Sequence, residues 1–282
     1  MRIIATGRGT SGSWQIRGAQ LCGAIGATLA PSALHPYGFD AAILVKRPSP
    51  GLLERLQRAK LPIIWDVVDA YPQPAALAWT YAECSAWLRA QLDEIRPAAV
   101  VAATADMADD IARVSGVPTL WLPHHSRPGL RANPIYRDVR TVGYEGSDHY
   151  LGKWLHVMQE QCAHRGWRFR VNPAHLADLD IVVALRDAGG YAARFWKSGV
   201  KLANAIGSGT PAIIGAEMGC RELAPVGMHH AETAADVARL LDELEPQSVR
   251  QEMATAFAAR APSLALAAVA ARYAHWLGGL SL

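Results

Sequence analysis

Short apolar runs alternate with helix-length stretches along almost the whole chain, and few folds accept that order. Strand–helix alternation selects layered α/β architecture with parallel strands, because each crossover helix lies on a face of the sheet. "RIIAT" (2–6), "DAAILVKR" (40–47), "LPIIWDVVD" (61–69), "AAVVAAT" (98–104) and "PTLWLP" (118–123) read as strands. Between them "WQIRGAQLCGAIGA" (14–27, with Ser13 as cap), "PGLLERLQRAK" (50–60), a stretch within 75–95 and "ADMADDIARVSG" (105–116) read as helices. The third strand is apolar nearly throughout, as a strand covered on both faces must be.

The pattern breaks at 124–141, "HHSRPGLRANPIYRDVRT", which has two prolines, several charges and no period. It then restarts with strands at 141–147, 168–172 and 179–185 and helices at 153–166, 233–245 and 248–261. The expected organisation is an N-terminal α/β domain (1–123), a C-terminal one (124–262) and a C-terminal helix (263–282) packing back on the first. In that class the sheets face each other across a cleft.

A chain of 282 residues with 51% hydrophobic and 19% charged residues can bury two cores. Its net charge of +3 is mild, compatible with a phosphate-bearing ligand or weak polyanion contact. The start "MRIIATGRG" lacks a signal-peptide core, and no run reaches the roughly 18 uninterrupted apolar residues of a spanning helix. The nearest, 263–282, is interrupted by Arg272 and His275 and reads as a docked helix. Cys22, Cys84, Cys162 and Cys220 stand far apart, as reduced thiols of a cytoplasmic protein would.

Ligands of parallel sheets bind beyond the carboxyl ends of strands, so the residues there are the candidates. After the first strand, "GRGTSGS" offers Gly9, Ser11 and Gly12, whose backbone N–H groups can approach an anion; a tight turn explains the same letters. No acidic residue follows at the spacing a nicotinamide cofactor requires. After the third strand, Asp66 and Asp69 can act as proton acceptors or hold hydroxyls, or cap the loop. No third acid or histidine joins them at metal-ligand spacing, so no metal is assigned. His124 and His125 sit on an extended segment where at most one can enter a cleft; His124 is the candidate.

"WKSGVKLANAIGSGTPAII" (196–214) opens with cations on what reads as a helix N-terminal half, where anions bind. Lys197, Ser198 and Lys201 suit a diphosphate, and Asn204, one turn on from Lys201, a ribose hydroxyl. The alternative is a solvated lysine pair with a glycine-rich helix end at Gly207 and Gly209.

This run resembles the nucleotide-sugar signature of GT-B glycosyltransferases, especially the retaining group 1, or family 4, enzymes. The matching letters are Lys201, Asn204, Gly209 and Pro211, then "GCRELAP" with Glu222 and the helix "HHAETAADVARLLDEL". "WDVVDAYPQP", "VVAATADMADDIA", "LPHHSRP" and "VGYEGS" are similar to the family's acidic strand end, later strand–helix pair, linker and second-domain opening strand. The likeness is strongest over 180–245. Asn204 stands where the family has the ribose-holding glutamate, and no acid near Lys197 matches the first glutamate of its pair.

What the resemblance implies is a metal-independent glycosyltransferase built from two Rossmann-like domains. A nucleotide-diphosphate sugar would be held mainly by the second domain, with Arg194, Lys197 and Lys201 as candidates for its diphosphate and Glu222 beside it. A hydroxyl acceptor would be held mainly by the first domain: a bacterial glycan, a small molecule or a hydroxymethylated DNA base. No cofactor is required. The alternatives are a nucleotide-sugar isomerase or epimerase of the same fold, and a non-catalytic nucleotide-sugar-binding protein.

Overall fold

Two separate parallel sheets organise the computed structural model of the protein, which describes residues 1–31, 35–69, 78–187 and 189–282. The chain forms two units: residues 1–124, 190–198 and 266–282, and residues 125–189 and 199–265.

In the first unit, β1 (Ile3–Gly7), β2 (Thr28–Leu29), β3 (Ala41–Val45), β4 (Ile63–Asp66), β5 (Ala99–Ala102) and β6 (Thr119–Trp121) form a sheet ordered β2-β1-β3-β4-β5-β6, with every pair parallel. β3, β4 and β5 are buried at every position, since apolar layers cover both faces. On one face α1 (Leu52–Arg58), α2 (Tyr81–Ile95) and α3 (Ala105–Ser115) bring Leu56, Leu88 and Ile111 onto Leu44, Trp65 and Val100. On the other, a π-helical segment (Trp14–Cys22) and the C-terminal helix, Leu266–Gly278, bury Trp14, Leu21, Val269 and Tyr273 against Ile43, Ile64 and Val101.

α2 starts on a capping box in which Thr80 and Glu83 exchange hydrogen bonds. The expected cap at Ser13 makes no side-chain bond; instead the Ser11 hydroxyl accepts from the Trp14 N–H at 3.1 Å.

In the second unit, β7 (Thr141–Tyr144), β8 (Arg168–Val171), β9 (Ile181–Ala184) and β10 (Ala212–Ile214) form a parallel sheet ordered β10-β9-β7-β8. α4 (Lys153–His164) and a later helix, Ala234–Leu244, cover one face with Trp154, Met158, Val237 and Leu241. α5 (Val200–Ser208), the four-residue α6 (Met218–Arg221) and a long helix, Gln247–Leu264, cover the other. In chain order the helices at 234–244, 247–264 and 266–278 are α7, α8 and α9.

By length and composition one stretch, within Gln247–Gly278, is apolar enough to cross a membrane. It is broken at Ala265, whose backbone is extended between α8 and α9, and α9 buries Val269, Ala270, Tyr273 and Leu277 in the first unit's core.

One segment departs from the sequence reading. Residues 190–198, expected within the second domain, belong to the first unit. Aromatic burial takes them there: Tyr191 Oη and Trp196 Nε1 both donate to Asp110 Oδ2, at 3.0 and 2.8 Å, and the Thr104 hydroxyl donates to the Phe195 carbonyl at 2.8 Å. Trp196 is fully buried beside Trp87. Residues 70–74 of the acidic strand-end stretch lie outside the described residues, as does the start of the helix expected from residue 75.

Candidate active site

The direction of chain travel reverses between β7 and β9 in the second unit, which makes the carboxyl ends of those strands the place for a ligand. Glu145 follows β7 directly and is the centre of a polar network. Its Oε1 meets Arg127 Nη1 at 2.8 Å, and its Oε2 accepts from Asn204 Nδ2 at 2.8 Å. Asn204 Oδ1 in turn accepts the Arg127 backbone N–H at 2.8 Å. Both ends of the Asn204 amide are therefore in use within the protein. The carboxylate it holds, with a side chain 17% exposed, keeps lone pairs for a ligand.

Beside this network Lys201, in the first turn of α5, lies over the Tyr144 ring at 4.7 Å. Gly146, at φ +129°, lets it pass: a Cβ there would stand 3.2 Å from Lys201 Nζ. Tyr144 is fully buried and its hydroxyl has no hydrogen-bond partner among the described residues. Burial pushes that phenol up to about 12, opposed by Arg186 and reinforced by Glu217 and Tyr150. The Arg186 guanidinium lies over the Tyr150 ring at 4.7 Å.

The two helix N-termini at this edge differ. That of α4 is already occupied, because Asp187 Oδ2 accepts from the Lys153 N–H at 3.0 Å. That of α5 has no side-chain cap and no acidic residue in its first turn. The Leu202 N–H of α5 is engaged by the Cys220 sulfur, while Lys201 brings a cation to the first turn of this helix, where its dipole favours an anion.

At the carboxyl edge of the first sheet the polar groups are paired differently. Asp66, at the end of β4, is fully buried with Arg17 Nε 3.7 Å from its Oδ2, and Arg17 Nη2 also donates to the Leu122 carbonyl. Burial raises the Asp66 carboxyl against the opposing pull of Arg17. Asp69 contacts the ammonium groups of Lys46 and Lys197. Desolvation pushes its carboxyl upward, but the two lysines outweigh it and hold Asp69 well below the ordinary carboxylate range. Among the described residues, no group of three or more His, Cys, Asp or Glu is placed to hold a metal ion.

No protein-family model matches the chain, and no curated protein matches its sequence. Solved structures do match it. HepE of Anabaena, determined in complex with UDP and glucose, aligns with a TM-score of 0.67 at 12% identity over 99% of this chain and 100% of that one. The apo lipopolysaccharide outer core galactosyltransferase WaaB gives 0.59 at 10% identity over 99% and 100%. AviGT4, a glycosyltransferase involved in avilamycin A biosynthesis, gives 0.53 at 14% over 99% and 99%. The fold is GT-B. At such identities the likeness fixes architecture and leaves activity to be argued from the site.

On this GT-B scaffold the sequence-predicted residues separate into two groups. Lys201 and Asn204 lie together in the second unit, next to a carboxylate that the sequence reading missed. Glu145 lay inside the strand expected over 141–147; because the strand ends at Tyr144, it is the residue directly after a strand, the position that singled out "GRGTSGS" in the first half. Arg127, Tyr144, Arg186 and Glu217 were missed too. Glu222 stands at the C-terminal end of α6, whereas it is Glu217, at the start of α6, whose charge acts on Tyr144 and Cys220.

Arg194, Lys197 and Ser198, expected beside Lys201, are in the first unit, because the aromatic residues flanking Arg194 dock there. Gly9, Ser11 and Gly12 are in the first unit as well. A Cβ at Gly9 would meet Pro31 at 2.7 Å, while Gly12 borders open space, so packing requires glycine only at the former. The Ser11 hydroxyl is turned onto its own loop, donating to the Arg8 carbonyl.

The catalytic candidates fare poorly as bases. Asp66 is sealed from solvent by its core position, and Asp69 is held ionised by two lysines, so its proton affinity is low. His124 and His125 are both buried, at 2% and 1% exposure.

Proposed function

We propose that the chain transfers a glycosyl group from a nucleotide-diphosphate sugar to a hydroxyl acceptor, with the donor held in the second unit. The observation that carries this is the arrangement at α5: a helix N-terminus with no acidic residue in its first turn, Lys201 over Tyr144, and a buried Tyr144 hydroxyl still able to donate. Lys201 and the positive end of the α5 dipole would stabilise the negative charge that builds on the leaving diphosphate, the task a divalent ion performs elsewhere. Glu145, fixed by Arg127 and Asn204, would accept from the ribose hydroxyls, with Asn204 acting as its positioning residue. HepE, whose structure holds UDP and glucose, supports the same ligand class.

Neither Asp66 nor Asp69 is suited to abstract a proton. That favours transfer in which a diphosphate oxygen takes the proton of the attacking hydroxyl and configuration is retained. It also counts against an isomerase or epimerase, which needs carboxylates free to exchange protons. The acceptor classes in view are a bacterial glycan, a small molecule and a hydroxymethylated DNA base; salt-sensitive DNA binding would single out the last.

The test is a panel of UDP-, GDP- and TDP-sugars with the full chain, with and without EDTA, following melting temperature and free nucleotide. One donor class should raise stability by about 3 kcal/mol at a hundredfold excess over its Kd and release nucleotide slowly in either condition. The absence of any shift with any donor overturns the reading. A shift without release leaves only a binding protein. Dependence on a divalent ion removes the metal-independent form.

A further inference from the structure

We infer that the first unit carries a ligand site of its own, at the outer edge of its sheet, for a small amphiphile: an apolar body bearing one carboxylate. This goes beyond glycosyl transfer and does not depend on it. β6 is the edge strand of the first sheet, and its Leu120 packs on the same core as α9. The spacing 272, 275, 276, 279 puts Arg272, His275, Trp276 and Gly279 along one side of α9 and its end. Val269, Tyr273 and Leu277 turn into the core instead. Arg272 and His275 interrupt the C-terminal apolar run for that reason: the helix buries only one of its sides. With Leu120 and Leu280 the four residues line an open cavity of about 370 Å³, within the size range of small-molecule sites.

The chemistry of that lining selects the ligand. Arg272 is fixed in place: its Nη2 donates to the Trp121 carbonyl at 2.7 Å, and its guanidinium lies over the Trp121 ring at 5.2 Å. A guanidinium has further N–H donors, set to receive the two oxygens of a carboxylate side by side. Burial on the protein side lowers the Arg272 guanidinium, and among the described residues no acid offsets that. A single fixed cation beside apolar walls is matched by a monoanion, whereas a dianion brings excess negative charge and a neutral ligand leaves the cation unmatched. Leu120, Leu280 and the Trp276 ring, stacked on Tyr273 with centroids 6.3 Å apart, supply the apolar walls. His275 adds a ring nitrogen able to hydrogen-bond the ligand's polar end.

The experiment titrates the full chain with octanoate below its micelle concentration, beside octanol (the body without the charge) and acetate (the charge without the body). Tryptophan fluorescence and melting temperature are followed, with no nucleotide sugar present. Octanoate should saturate one site per chain and bind roughly tenfold tighter than octanol, and acetate should not saturate over the same range. Arg272→Gln should erase the advantage of octanoate over octanol, and Arg272→Lys should keep part of it. Gly279→Leu should abolish binding of both, because its side chain takes up the cavity. A Cβ at Gly279 meets only the Trp276 carbonyl oxygen, at an ordinary 3.5 Å, so that variant is expected to fold and to decide the matter if Arg272→Gln does not. The proposal falls if octanoate does not saturate, if octanol binds as tightly, or if either Arg272→Gln or Gly279→Leu leaves octanoate binding unchanged. Binding to phosphatidylglycerol vesicles without saturable octanoate binding would assign Arg272 to a membrane surface and overturn it too.

Discussion

The two sheets place ionisable groups at the same topological position and treat them in opposite ways. In the second unit the central carboxylate, Glu145, is bonded at both oxygens yet stays partly open, and a lysine rests on an aromatic face beside it. In the first unit one carboxylate is entombed with an arginine and the other is saturated by lysines. A hydrogen-bonded but accessible acid can still accept from a hydroxyl; an acid held by two ammonium groups serves mainly to arrange them. The second unit thus keeps a carboxylate that can still accept from a ligand, whereas the carboxylates at the first sheet's edge are taken up by the protein's own cations.

The strongest way to break that contrast is at the buried pair. Arg17→Ala leaves Asp66 without its partner in a dry core and should cost about 3–5 kcal/mol of stability by urea denaturation. A loss near zero would mean that Asp66 is neutral or hydrated. Next, Lys201→Ala should reduce donor affinity by at least roughly tenfold while the far-ultraviolet circular dichroism stays unchanged. Unaltered affinity in calorimetry would move the diphosphate away from α5.

Gly209→Val probes the joint that sends α5 into β10. Gly209 has φ +67° and open space around its Cα, so backbone strain alone should cost about 1–3 kcal/mol. A fully stable variant would show that the joint relaxes.

The smallest effect sharpens the comparison of the two aspartates. Asp69, whose carboxyl is depressed, contributes stability that is complete above the ordinary value of 3.8 and is lost as pH falls through its folded-state value. Asp69→Asn should therefore cost about 1 kcal/mol at pH 7, with the gap to wild type closing in acid. Asp66, whose carboxyl is raised, has the opposite sign: its contribution favours folding below 3.8 and is lost as pH rises through its folded-state value. Carboxyl-carbon NMR should find the two titrating on opposite sides of 3.8; titration of both at one pH would erase the distinction.

The sheets were legible because their strands are near-continuous apolar runs, and α5 because Lys201 and Asn204 recur at helical spacing. The two-residue β2, exposed at both positions, carries no apolar signal. Glu145 was hidden because its partner Asn204 lies 59 residues away, and nothing local marks a carboxylate that will be held from a distance. The docking of residues 190–198 on the first unit was hidden for the same reason: Tyr191 and Trp196 find their acceptor in Asp110, 81 and 86 residues earlier. Local pattern reports what a segment can become, and distant partners decide where it goes.

The return of residues 190–198 to the first unit means that the chain cannot be divided by one cut. A fragment of residues 125–265 would carry Tyr191, Phe195 and Trp196 without the acceptor and packing surface they use, and would expose their rings to water. Its counterpart, residues 1–124, would lack both that aromatic plug and α9, leaving two faces of its sheet partly bare. Each half prepared alone is therefore expected to aggregate, and dissection of this molecule is best done by point substitution in the intact chain.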